Sequence, residues 1–318
     1  MTEQLENLVE RRLDLTWRML ATIGAPVASK PIAGLPVDPE CTFLLACYGA
    51  EDDARAAELA VWLARHARSI LVVGRTMTVA ARLGERVVAA FQRCAATMQA
   101  LGIAGGWAGV VVGDEQPWNI EIDPTRLDYR LGGDGLLPRA FKTSAMHGVR
   151  LRMAFGLTSR ADALATLIGR SAHVGRHEWI GMAELDDATG WGRRSLLASL
   201  TDMAASGLID QRRQGRSHQF AAAPGLLPEL APAPENWVSW PQRLTELIAV
   251  EEAARVVSGA GTMTSVLQQC TSLAKHVSSD APSFDPAGDP DLLVARFLAW
   301  CDQRSAAQVA DLDRYESP

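Results

Sequence analysis

The chain has 318 residues, of which 48% are hydrophobic and only 6% aromatic. That length suits two or three domains, and an Ala- and Leu-rich, aromatic-poor content favours helix over strand. A net charge of −6 and five scattered cysteines (Cys41, Cys47, Cys94, Cys270, Cys301) without CxxC spacing argue against a uniformly basic nucleic-acid coat, a disulfide framework and a zinc knuckle.

Thr2–Thr22 carries apolar residues at near-helical spacing and predicts a first helix ending before Gly24. Acidic and basic residues fall within its first dozen positions, so no signal peptide is expected and the chain reads as cytoplasmic. A Pro/Gly-rich connector, Gly24–Pro39, follows. From Cys41 to Leu101 the pattern is helical, with Ala54–His66 and Val79–Ala100 each showing one apolar and one Arg/Glu face. Glu51, Asp52 and Asp53 suit a helix N-terminus. Ser69–Val73 (SILVV) reads as a buried strand or a helix end. Gly105–Leu137 reads as irregular connection with one strand at Gly109–Val112. The apolar run Ile103–Val112 is short of the roughly 20 residues a membrane-spanning helix needs. Helix resumes near Leu137. Beyond the central segment come a Pro-rich linker (Pro224–Pro234), a helical tail from Trp237 to Trp300, and a Pro/Asp/Ser loop at Ser278–Pro290.

The most informative segment is Ile180–Ala222, IGMAELDDATGWGRRSLLASLTDMAASGLIDQRRQGRSHQFAA. Before it, Leu157, Ala161, Leu164, Ala165 and Ile168 form one helical stripe, with Ser159 and Asp162 spaced as a capping box. Met182, Leu185 and Ala188 bury the next helix, which Thr189–Gly190 stops. Gly192 can cap a third helix, with Trp191 and Leu196 as a hydrophobic staple and Gly207 as its C-terminal stop. Leu208–Arg212 and His218–Ala222 then alternate as a hairpin around Gln214–Gly215–Arg216. This order, helix, turn, helix, hairpin, is that of a winged helix-turn-helix. The expected fold is therefore mainly α, with a central winged helix-turn-helix flanked by N-terminal and C-terminal helical regions. The boundaries read are 1–150 for a helical region that dimerises or senses a signal, 151–223 for the winged module, and 235–318 for a C-terminal helical region.

Charge is uneven. Ala145–Ala222 holds ten arginines against seven acids, a local +3, while the rest of the chain is −9. Arg193 and Arg194 occupy the first turn of the third helix, where cations oppose the helix dipole. That cost suggests contact with phosphate or guanine. Arg212, Arg213, Arg216 and His218 bracket the hairpin tip, where they would hold phosphates, and Ser195 joins the two helix arginines as a candidate groove contact.

TGWGRRSLLASLTDMAASGLIDQRRQGRSHQFAA, with the run from Leu151 that leads into it, resembles the winged-helix domains of ArsR/MarR-type bacterial transcription regulators. The resemblance covers about a quarter of the chain. It implies binding of double-stranded DNA as a homodimer on a palindromic site, and repression or activation at a promoter. It calls for no cofactor, and a small-molecule or protein effector would act on the flanking helices. Leu197 and Ala198 stand where the family usually exposes polar side chains, and thymine methyls are the groove contact they offer.

Other motifs are weaker. His173 and His177 lack a third ligand, HEWIG at 177–181 is not a zincin motif, and VGRT at 73–76 lacks the glycine pattern of a phosphate loop. No metal site and no enzyme activity is expected. Two alternatives remain: a winged-helix scaffold that binds protein and not DNA, with Arg193 and Arg194 held by acids, and an enzyme with a site in Cys41–Asp134.

Overall fold

Ala- and Leu-rich segments between polar and glycine punctuation fold into eleven α-helices among the described residues, beside one small antiparallel sheet. This computed structural model describes residues 3–32, 34–67, 69–103, 106–110, 115–120, 143–225, 233–234, 236–258 and 290–313. None of the described helices is long and apolar enough to cross a membrane. The chain forms two compact units, Met1–Leu15 with Arg243–Pro318, and Thr16–Gln242. The readings at Val111–Val112 and Ser278–Asp289, and the start of a helix near Leu137, lie outside the described residues.

The first unit is held by the opening turns of α1 (Glu3–Ile23), by α10 (Trp240–Ser258) from Arg243 onward, and by α11 (Pro290–Asp313). Leu5, Leu8 and Val9 pack with Val250, Ala253, Ala254, Phe297, Leu298 and Cys301. Arg12 is buried in that core and donates to Glu251 at 2.7 Å. At the edge, Arg11 meets Asp302 at 2.7 Å.

In the second unit α2 (Pro39–Gly49) is buried along its whole length, as a helix apolar on every side must be. Sequence assigned Pro39 to the connector, but Pro39 opens the helix and Asp38 caps it, accepting from the Cys41 amide at 3.0 Å. Proline suits a first helical position because the amide it lacks has no partner there. Around α2 lie α3 (Ala54–His66), capped by Asp53 as expected, α4 (Val73–Leu83) and α5 (Glu85–Ala100). Phe43, Phe91 and Trp107 form an aromatic triad with ring centroids 5.2 to 6.0 Å apart. The SILVV run is neither strand nor helix end. Ser69 and Ile70 form a turn, Val72 is extended, and α4 starts at Val73. Gly109 belongs to a short 3-10 helix, not a strand.

The same unit continues through α6 (His147–Phe155), α7 (Ser159–Val174), β1 (Ile180–Gly181), α8 (Met182–Thr189), α9 (Arg193–Ala205), β2 (Ile209–Gln214) and β3 (Ser217–Ala222). The strands are antiparallel in the order β1–β3–β2, with Ile180 opposite Phe220 and Arg213 opposite His218. Leu164, Leu167, Ile180, Leu185, Leu196, Leu200, Met203, Ile209 and Phe220 make one core. Leu196, Leu200 and Met203, at i, i+4 and i+7 of the third helix, are all in it. One expectation fails. Ser159 starts α7, but Thr158 is its N-cap and no side chain caps it. Ser159 and Asp162 have stronger partners elsewhere.

Candidate nucleic-acid interface

The connection between α8 and α9 is three residues long, and each has a physical role. Gly190 closes α8 at φ 70°, a conformation that favours glycine. A side-chain carbon there would also lie 2.5 Å from Val79 Cγ2 of α4, so the turn is seated against that helix. Trp191 packs on the core and its Nε1 donates to Asp162 at 2.6 Å. Gly192 then caps α9 in an extended conformation. At the far end Gly207, φ 74°, lets Leu208 donate back to Met203 at 3.0 Å.

The turn is fixed from below by four buried charges and the half-buried Asp38. Arg75 of α4 and Arg152 of α6 are each 2% exposed. Arg75 donates to the Thr189 carbonyl at 2.6 Å, to Asp38 and to Glu40, and its Nε lies 3.5 Å from Asp162. Arg152 donates twice to Asp162, at 2.7 and 2.9 Å, and also to Glu40 and to the Ile70 carbonyl at 2.5 Å. Glu40 accepts from the Val72 amide at 2.8 Å. The paired charges offset the cost of leaving water. Burial alone would raise the Asp38 pKa, but the charge and hydrogen bonds of Arg75 outweigh it and hold that carboxyl well below the usual range. For Glu40 burial outweighs the pull of Arg152 and Arg75, and its pKa is raised. Against burial, the surrounding carboxylates hold both arginines above the ordinary guanidinium value. Nearby, Arg82 ties α4 to the Asp186 carbonyl and carboxylate of α8, at 2.8 and 2.5 Å.

Against that foundation the predicted contact residues divide. Arg193 is 69% exposed, with Nε 3.4 Å from Asp186. Arg194 is exposed and has no ion-pair or hydrogen-bond partner among the described residues. Ser195 is also exposed, but its hydroxyl lies 3.0 Å from that of Ser159, which in turn lies 2.8 Å from Ser199. On the hairpin, Arg212 donates to Gln219 at 2.8 Å and lies over the Trp179 ring, 4.3 Å from its centroid. Arg213 donates to the Gly215 carbonyl, and His218 bonds Gln211 at 2.8 Å. Gly215 turns the tip at φ 61°, and Arg216 beside it is exposed without a partner among the described residues. Asp202, an acid on α9, is paired with Arg160 at 3.3 Å. Arg176, Arg194, Arg212, Arg213 and Arg216 meet no carboxylate among the described residues.

Sequence reasoning missed Arg75, Arg82 and Asp162 as the groups that hold the turn. Asp162 looked like a local cap, and its partners lie 10 and 29 residues away. No group of three or more His, Cys, Asp or Glu that could hold a metal occurs among the described residues. His177 faces Asp210 at 3.8 Å. Compared with protein families, characterised proteins and solved structures, the chain has no match.

Proposed function

We propose that α7 to α9 with the three-stranded sheet form a winged helix-turn-helix, and that the protein is a DNA-binding transcriptional regulator of the ArsR/MarR type. In this reading α9 is the helix that enters the major groove and the β2–β3 hairpin is the wing. Three features support the arrangement: the three-residue connection between α8 and α9, the shared core beneath both, and the antiparallel order β1–β3–β2. The flanking helices would supply the dimer contact that a palindromic site requires, and occupancy of a promoter in the cytoplasm would be the output.

The observation that carries the reading is the distribution of arginine partners. Asp162, Glu178, Glu184, Asp186 and Asp202 are engaged with arginines at the core and along the helix flanks, while Asp210 faces His177 and Asp187 is exposed without a partner among the described residues. The arginines at the start of α9 and at the hairpin tip are left accessible. The protein-scaffold alternative requires Arg193 and Arg194 to be held by acids. Asp186 approaches Arg193 alone, and only at 3.4 Å. Accessible guanidinium groups of this kind bind phosphate and guanine edges.

The test is capture of sheared genomic DNA across a salt series, with sequencing of the fragments retained. Binding that weakens steeply with salt and enriches a palindrome is expected. Absence of binding at low salt would refute the DNA assignment.

A further inference from the structure

The outward stripe of α9 has a composition that narrows what it can read. Arg194, Leu197, Ala198 and Thr201 follow one another at i, i+3, i+4 and i+7, which places them on one face, and all four are exposed. Leu197 is 44% exposed, so its side chain is open to a ligand on that face. Thr201 donates its hydroxyl to the Leu197 carbonyl at 2.8 Å, leaving its methyl as the group without a hydrogen-bonding role. The stripe therefore offers one strong donor at its start, then the apolar Leu197 and Ala198, and then Thr201, whose hydroxyl hydrogen is already used. Asp202, the neighbouring acid, is occupied by Arg160.

Base edges in the major groove are distinguished by donors, acceptors and one apolar feature, the C5 methyl of thymine. A Leu–Ala surface can satisfy neither a donor nor an acceptor, and opposite cytosine or adenine it would leave polar edges desolvated. Opposite thymine it buries a methyl. Arg194 sits one turn earlier, about 4.5 Å along the axis from Leu197, close to the 3.4 Å spacing of successive base pairs. We infer that Leu197, flanked by Ala198 and Thr201, is a specificity-determining residue that reads a thymine methyl one or two base pairs from a guanine contacted by Arg194. This rests on the DNA-binding reading above. The occupant is B-form DNA because the exposed cation at the head of the stripe, with Arg212, Arg213 and Arg216 of the hairpin, none of which meets a carboxylate among the described residues, complements phosphate.

Duplexes enriched from a random library by the wild-type chain are resynthesised with deoxyuridine in place of thymine, which removes the methyl and keeps the pairing. Wild-type affinity should fall about fourfold for each methyl buried. Leu197→Ala should bind the two forms within about twofold of each other, with an unchanged salt slope and unchanged thermal unfolding. Equal wild-type affinity for both forms overturns the inference and leaves DNA binding intact. So does a deoxyuridine penalty that persists in Leu197→Ala, or salt-dependent binding that enriches no sequence. No binding at low salt overturns this inference and the DNA reading together.

Discussion

Arg75 and Arg194 are the same side chain placed in opposite settings. Arg75 is enclosed by Asp38, Glu40, Asp162 and a helix-end carbonyl, while Arg194, across the α8–α9 turn, meets no partner among the described residues. The enclosed arginine is held in a fixed geometry by Asp38, Glu40 and the Thr189 carbonyl, which suits it to positioning the turn. The exposed one has its donors open to solvent, and in the proposed function they meet DNA. A cation's role in this protein is set by whether carboxylates already surround it.

The contrast can be broken most severely at the enclosed end. Arg75→Met strips Asp38 of its counter-charge, and Arg152→Met leaves Glu40 and Asp162 with Arg75 alone; each should cost about 3–5 kcal/mol, read as a lower urea midpoint. Arg194→Met should move that midpoint by less than about 0.5 kcal/mol. Equal effects would mean that the cluster does not hold the turn.

A smaller loss is expected at the turn itself. Gly190→Ala meets both a left-handed backbone and the Val79 side chain and should cost about 1–3 kcal/mol. Adding Val79→Ala should recover part of that cost, because it relieves the clash and leaves the backbone strain. Full recovery would place the whole cost in the clash.

Acid titration sharpens the comparison within the cluster. Asp38, held below its ordinary 3.8 in the folded state, contributes stability that is present above that value and lost as pH falls below it. Glu40, raised above its ordinary 4.5, has the opposite sign. The folded state takes up its proton first, so stability from this group rises as pH falls towards 4.5. Asp38→Asn should therefore lower the melting temperature at neutral pH and flatten the loss below about pH 4. Glu40→Gln should cost less at neutral pH and remove the gain at mildly acid pH. Melting curves from neutral to about pH 3 read both, and identical profiles for the two variants would contradict the assignment.

Much of the exposed region was legible in the sequence and little of the buried region was. Gly190 and Gly207 stop helices through their own backbone freedom. Leu196, Leu200 and Met203 repeat at helical spacing, so α9 and its hairpin follow from neighbours in the chain. The buried cluster joins residues 38, 40, 75, 152 and 162, whose partners are up to 112 positions apart. Nothing in local spacing distinguishes Arg75 from a surface arginine. Asp162 has a local reading, as a cap for α7, and tertiary ion pairing displaced it. The two-residue β1 was also invisible, since its pairing with β3 depends on a residue 40 positions away.

The most direct test of the central claim is the salt dependence of DNA affinity for the wild type and for the double variant Arg213→Ala, Arg216→Ala. If these hairpin arginines are kept accessible for phosphates, the logarithmic salt slope should shrink by about two, one for each phosphate no longer neutralised, with unfolding unchanged. A slope that stays the same, or a wild-type chain that binds no DNA at low salt, would contradict the account.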